Sequence, residues 1–85
     1  MKEFTYKITD PVGIHARPAG LLSKEAKKFS SKITIAKGDK SADMTKLLAM
    51  MGLGVKQNDT VTITVDGADE DAAAEAISKF MSENF

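Results

Sequence analysis

Gly13-Ile14-His15-Ala16-Arg17-Pro18-Ala19 is the stretch at which the spacing of apolar residues changes from two to between three and four. Before it, Phe4, Tyr6 and Ile8 alternate with Thr5, Lys7 and Thr9, the pattern of a strand with one buried face, and Asp10-Pro11 breaks that strand. After it, Ala19, Leu22, Ala26 and Phe29 recur at helical spacing with Lys24, Lys27 and Lys28 off the stripe, which predicts a helix over about Ala16 to Phe29. Gly13 suits a tight bend with positive φ. Pro18 is tolerated in a first helical turn, and it biases Arg17 away from the helical region. Gly20 costs roughly 1 kcal/mol relative to alanine, and the pattern offers no reason for it.

The remaining elements follow from the same periodicities. Ser30-Ser31 ends the helix, Ile33 and Ile35 mark a second strand, and Lys37-Gly38-Asp39-Lys40 predicts a hairpin turn into a short third strand through Ser41, Ala42 and Asp43. From Thr45 to Val55 the chain is dense in apolar residues, more than a helical turn or two can bury behind one stripe, so some must face solvent. Gly52 and Gly54 are read as its terminators. Val61, Ile63 and Val65 alternate with threonines in a fourth strand, and Asp66-Gly67 turns it. Asp69, Glu70 and Asp71 then suit the cap and first turn of a helix whose apolar face is Ala73, Ala76, Ile77, Phe80 and Met81. The order βαββαβα, with one-faced strands, predicts an α+β fold: an antiparallel sheet covered by helices on one side and open to water on the other. Periodicity alone does not distinguish its strand order from a ferredoxin-like one.

Composition narrows the function. Residues 1–85 make one small domain with a single modest core. Twelve basic residues balance twelve acidic ones, so overall charge favours neither nucleic acid nor membrane surfaces. With no cysteine and one histidine, disulfides and transition-metal sites are not expected, and no cofactor is called for. The charged, alternating amino terminus is unlike a signal segment and no apolar run approaches about 18 residues, so a cytoplasmic protein without membrane insertion is the default.

The chemistry concentrates at His15. A helix start presents unpaired N–H groups and the positive end of the helix dipole, a natural seat for a phosphoryl group at Ala16 and Arg17. Imidazole offers one nucleophilic nitrogen while the other holds a proton, and Arg17 adds a planar fork suited to phosphate oxygens. A lone histidine at a strand-to-helix junction also serves as an ordinary surface or capping residue; Arg17 and Pro18 beside it favour the chemical role. No carboxylate or amide adjoins His15 in sequence to position a hydrolytic water.

The Gly13 to Ala19 run resembles the active-site signature of the HPr family, the histidine-containing phosphocarriers of the bacterial sugar phosphotransferase system. Lys40-Ser41-Ala42, Leu53-Gly54-Val55 and Asp66-Gly67-Ala68-Asp69-Glu70 are similar as well, so the likeness covers nearly the whole chain. It implies an open-faced β-sandwich with strand order 1-4-2-3 and all three helices on one face. It also implies that Nδ1 of His15 takes phosphate from phosphorylated enzyme I and passes it to enzyme IIA, with His15, Arg17 and Pro18 as the reactive signature. The protein would then be a carrier rather than an enzyme, and monomeric. Leu47, Leu48 and Met51 are expected to face outward as a docking patch, with Lys24, Lys27 and Lys46 completing a positive rim around it with Arg17. Lys46 is a departure: many members have there a serine that a kinase phosphorylates, and a cation at a helix start opposes the dipole by a few tenths to about 1 kcal/mol. Only Thr45 beside it could substitute. Two other functions share these features: an HPr-like regulatory phosphorelay not dedicated to sugar uptake, and an acylphosphatase-like enzyme, which would need a group to orient water.

Overall fold

A computed structural model describes residues 1–85. Strands β1 (Lys2–Lys7), β2 (Lys32–Lys37), β3 (Lys40–Asp43) and β4 (Thr60–Asp66) form one sheet in the order β1-β4-β2-β3, every neighbouring pair antiparallel. Helices α1 (Ala16–Ala26), α2 (Leu47–Met51) and α3 (Glu70–Asn84) cover one face. The open-faced sandwich and its 1-4-2-3 order are as the family resemblance implies. Alternation builds it: Ile33, Ile35, Val61, Ile63 and Val65 are buried on the helix side, whereas Thr34, Thr62 and Thr64 lie on the other and stay partly exposed. Leu22, Met44, Met50, Ile77 and Met81 complete the core from the helices and loops, each fully buried. In the hairpin Lys37 pairs with Lys40 and Gly38 takes φ +61°, a two-residue turn opening on a glycine.

Several boundaries differ from the sequence reading. α1 stops at Ala26 rather than Phe29; the Lys28 and Phe29 N–H groups turn to carbonyls three residues back, Glu25 and Ala26, so the chain tightens and leaves the helix. Arg17 is helical despite the following proline, because Pro18 is the third helical residue, where the missing N–H has no carbonyl inside the helix to meet. Gly52 and Gly54, by contrast, do end α2 as read: Gly52 caps it in right-handed conformation (φ −67°) and Gly54 (φ +66°) reverses the chain.

Asp69 also departs from expectation. It occupies the N-cap of α3 but makes no side-chain cap bond; its carboxylate instead reaches across to accept the backbone N–H groups of Ser30 and Ser31, each at 2.9 Å, and the Ser31 hydroxyl. Close approach of Gly67 to Ser31, whose Cα lies 2.6 Å from where a Cβ would sit, brings the two loops together. The Ser31 hydroxyl, and then the Ser30 N–H, hold the Asp69 carboxyl below the usual carboxylate range. A depressed carboxylate contributes stability that is present above the unfolded-chain value near 4 and is lost as pH falls through the folded value. Asp69→Asn is therefore expected to lower the thermal midpoint by about 5 °C at pH 7 and to approach the wild type near pH 2, as measured by circular dichroism melts across pH.

Candidate functional site

Between β1 and α1 the backbone has no ladder to satisfy it, and remote segments do so instead. The Thr9 and Asp10 N–H groups donate to the Phe85 backbone oxygen (2.6 and 2.9 Å), and the Thr9 hydroxyl adds a third bond at 2.8 Å. Asp10 closes a turn by accepting the Gly13 N–H (2.9 Å), and the Ile14 N–H donates to the Val55 carbonyl at 3.2 Å. Gly13, at φ +78°, packs directly on that Val55 carbonyl and on the Lys56 Cα, 2.8 Å from a notional Cβ. The segment leading into His15 is thus held by two remote parts of the chain, Phe85 and Val55-Lys56, and by its own turn.

His15 is the N-cap of α1, with extended backbone (φ −126°, ψ 170°) and no side-chain cap bond; its carbonyl accepts the Ala19 N–H at 3.0 Å. The imidazole is therefore not spent on capping. The side chain is 38% exposed. Because Ala16 and Arg17 open the helix and Pro18 lacks an N–H, the amides of Ala16 and Arg17 are those left facing outward at its mouth. Arg17 is exposed and carries no ion pair, so its guanidinium is free to meet an anion, and Pro18 is buried beneath it in the helix.

One neighbour escaped the sequence reading. Asp10, five positions before His15, places Oδ2 3.6 Å from His15 Nε2, while its Oδ1 accepts the Val12 N–H at 2.8 Å. The absence of an adjoining carboxylate holds along the chain but not in space. The available signal was Asp10-Pro11-Val12-Gly13 itself, a composition that turns the chain back on itself.

A groove of about 470 Å³ runs between α1 and α2, lined among others by Arg17, Gly20, Leu21, Lys24, Lys27 and Leu47. Lys28 is paired with Glu25 at 2.9 Å, whereas Lys24 and Lys27 have no acidic partner and leave the groove positive. Lys46 caps α2 from an exposed position without a cap bond and does not line the groove. The expectation for α2 needs correction. Leu48 alone projects fully, at 84% exposed, while Leu47 and Met51 are half-buried against the core, because a helix of five residues has little more than one turn and Met50 claims its inward side. Leu21, 49% exposed, and Gly20 belong to the groove and were not anticipated, although both lie off the buried Ala19-Leu22-Ala26 stripe. A Cβ at Gly20 would meet nothing within 4 Å.

The family model described as the PTS HPr component phosphorylation site matches residues 2–83. The phosphocarrier protein HPr of Mycoplasma genitalium is 44% identical over 85 residues, 99% of this chain and 97% of its own length. That of Buchnera aphidicola subsp. Baizongia pistaciae is 49% identical over 76 residues, 89% of either chain. A solved structure of the histidine-containing phosphocarrier protein from a Mycoplasma superposes with a TM-score of 0.94 at 43% identity, covering 96% of this chain and 93% of that one. Fold and kinship together define a phosphoryl carrier of the phosphotransferase system. The chain belongs to the HPr family.

The two glycines make opposite demands. Gly13→Ala should destabilise the protein by about 1–3 kcal/mol in urea unfolding, since the new methyl group meets backbone at a positive φ. Gly20→Ala should stabilise it, by up to about 1 kcal/mol, because a methyl group there enters open space.

Proposed function

We propose that His15 is the residue phosphorylated, through Nδ1, by phospho-enzyme I, and that it delivers the phosphoryl group to enzyme IIA. The observation that carries this reading is the half-exposed imidazole at the mouth of α1, free of capping duty, with Nε2 rather than Nδ1 beside a carboxylate. In the transfer the Nδ1 lone pair forms a bond to phosphorus as the bond to the donor breaks, and the electron pair leaves with the donor. The Ala16 and Arg17 amides and the Arg17 guanidinium receive the phosphoryl oxygens, and Pro18 holds the turn that aims them. These contacts cradle the group without activating water, as suits a carrier consumed and regenerated in each cycle rather than an enzyme.

Lys24, Lys27, Lys46, Leu47, Leu48 and Met51, with Arg17, form the docking surface for both partners: an apolar strip, led by Leu48, with unpaired cations around it. Such a surface steers acidic partners through a field that salt screens over about 10 Å. The unit acts as one monomeric domain spanning residues 1–85 in the cytoplasm, without nucleic acid, membrane insertion or cofactor. No helix is long and apolar enough to cross a membrane.

Regulation through a hydroxyl at the start of α2 is disfavoured. Lys46 cannot be phosphorylated on oxygen, and the Thr45 hydroxyl already donates to Asp43 Oδ1 at 2.7 Å while its N–H donates to the same atom at 2.9 Å. These two bonds, the hydroxyl's first, hold the Asp43 carboxyl below the usual range, so a phosphate on Thr45 would face an ionised carboxylate.

Incubation with enzyme I and phosphoenolpyruvate should give one acid-labile, base-stable phosphate, located on His15 by mass spectrometry, and His15→Ala should abolish it with an unchanged melting curve. A label that persists in His15→Ala would overturn the assignment. Lys46→Glu should weaken enzyme I association about threefold at low ionic strength and flatten its salt dependence, read by titration calorimetry at two salt concentrations. Equal affinities for both proteins would remove Lys46 from the docking surface.

A further inference from the structure

The Asp10 side chain is only 25% exposed, yet no lysine or arginine pairs with it. One oxygen is accounted for: Oδ1 accepts the Val12 N–H at 2.8 Å. The other, Oδ2, has no hydrogen-bond donor, and the one group of opposite potential charge within 4 Å is Nε2 of His15, at 3.6 Å. Oδ2 keeps some contact with solvent, and the charged group it is turned toward is the imidazole, so its orientation asks for a reason.

The orientation is not accidental mobility. Backbone bonds fix Asp10 on both sides, its N–H to the Phe85 oxygen at 2.9 Å and its carbonyl to the Gly13 N–H at 2.9 Å, and the Asx turn to Val12 fixes the carboxylate plane. From the other direction His15 is fixed by the Ile14–Val55 bond and by its carbonyl bond to Ala19. The two side chains face each other across a loop pinned at both ends.

Resting on the proposed transfer at His15, we infer that Asp10 is a positioning residue: its carboxylate keeps the imidazole proton on Nε2 and so leaves the lone pair on Nδ1, the nitrogen that attacks phosphorus. In a neutral imidazole the partner of one nitrogen decides which tautomer is present, and an acceptor at Nε2 selects the Nε2–H form. As the bond from Nδ1 to phosphorus forms, the ring gains positive charge, and the Asp10 carboxylate faces it. The 3.6 Å separation lies beyond hydrogen-bond range, so in the resting protein the carboxylate acts through its charge; such contacts commonly tighten when the partner engages. No other acidic side chain lies within 4 Å of the ring nitrogens, and Arg17, the nearest cation along α1, makes no ion pair.

Asp10→Asn separates positioning from structure. The amide oxygen still accepts the Val12 N–H, so the turn and the melting temperature are retained, but the group turned to Nε2 becomes an N–H donor. With the histidine labelled in nitrogen-15, the imidazole shifts at alkaline pH report the neutral tautomers directly. The wild type should be chiefly the Nε2–H form, and Asp10→Asn should move the population toward Nδ1–H. Phosphorylation of the variant by phospho-enzyme I at limiting concentration should slow by about fivefold. A wild type that is chiefly Nδ1–H, or tautomer populations that do not change in Asp10→Asn, would sink the inference; the first of these needs no variant to fold. The tautomer measurement uses no phosphoryl donor. If the wild type takes no phosphate, the carrier reading fails on its own, and the nitrogen shifts still decide the role of Asp10.

Discussion

Backbone polar groups that neither a sheet nor a helix can satisfy must find partners elsewhere, and in this protein the loop from Thr9 to Ile14 finds them at Phe85 and Val55. Each of those anchors is itself buried, Phe85 at the end of α3 and Val55 after α2, so the loop inherits its position from the core. A reactive side chain on a free loop would sample many orientations. His15 instead opens a helix whose start is tied to the carboxyl-terminal residue and to the segment after α2, and its neighbours meet it at settled distances.

The sheet makes this possible by being one-sided. With Ile33, Ile35, Ile63 and Val65 all buried toward the helices, α1 packs into a single core through Ala19, Leu22 and Ala26. Its opposite stripe is left free for Arg17, Leu21, Lys24 and Lys27, which with Leu47 line the groove beside α2. Ser23 ties α1 to the segment leading into α2, its hydroxyl donating to the Thr45 carbonyl at 2.8 Å. The spacing that buries one face of α1 therefore also assembles the other into a surface.

Much of the fold was legible because its strands alternate cleanly and its turns carry glycine where φ is positive, as at Gly13 and Gly38. The misses share a cause. The end of α1 at Ala26 and the helical state of Arg17 depend on where particular N–H groups find acceptors, which local propensity does not specify. Asp69 reads locally as a cap, yet its carboxylate serves Ser30 and Ser31 on another loop. The short apolar run around Leu47 and Met51 has no resolvable stripe and leaves open which residues face out; the outward reading comes from the family resemblance, and in the structure Met50 decides which side is inside.

His15, Arg17 and Pro18 are contiguous, so their juxtaposition, and with it the chemistry they offer, was determined by covalent order and by the mouth of the helix they open. The strand and helix succession was likewise written in periods of two and of about 3.6 residues. Tertiary structure alone decided that Asp10 faces Nε2, that Gly20 and Leu21 share a groove with Leu47, and that Phe85 steadies the loop 75 residues before it. Those contacts join elements far apart in the chain, and their geometry is set by the packing of a common core, which spacing along a sequence does not encode.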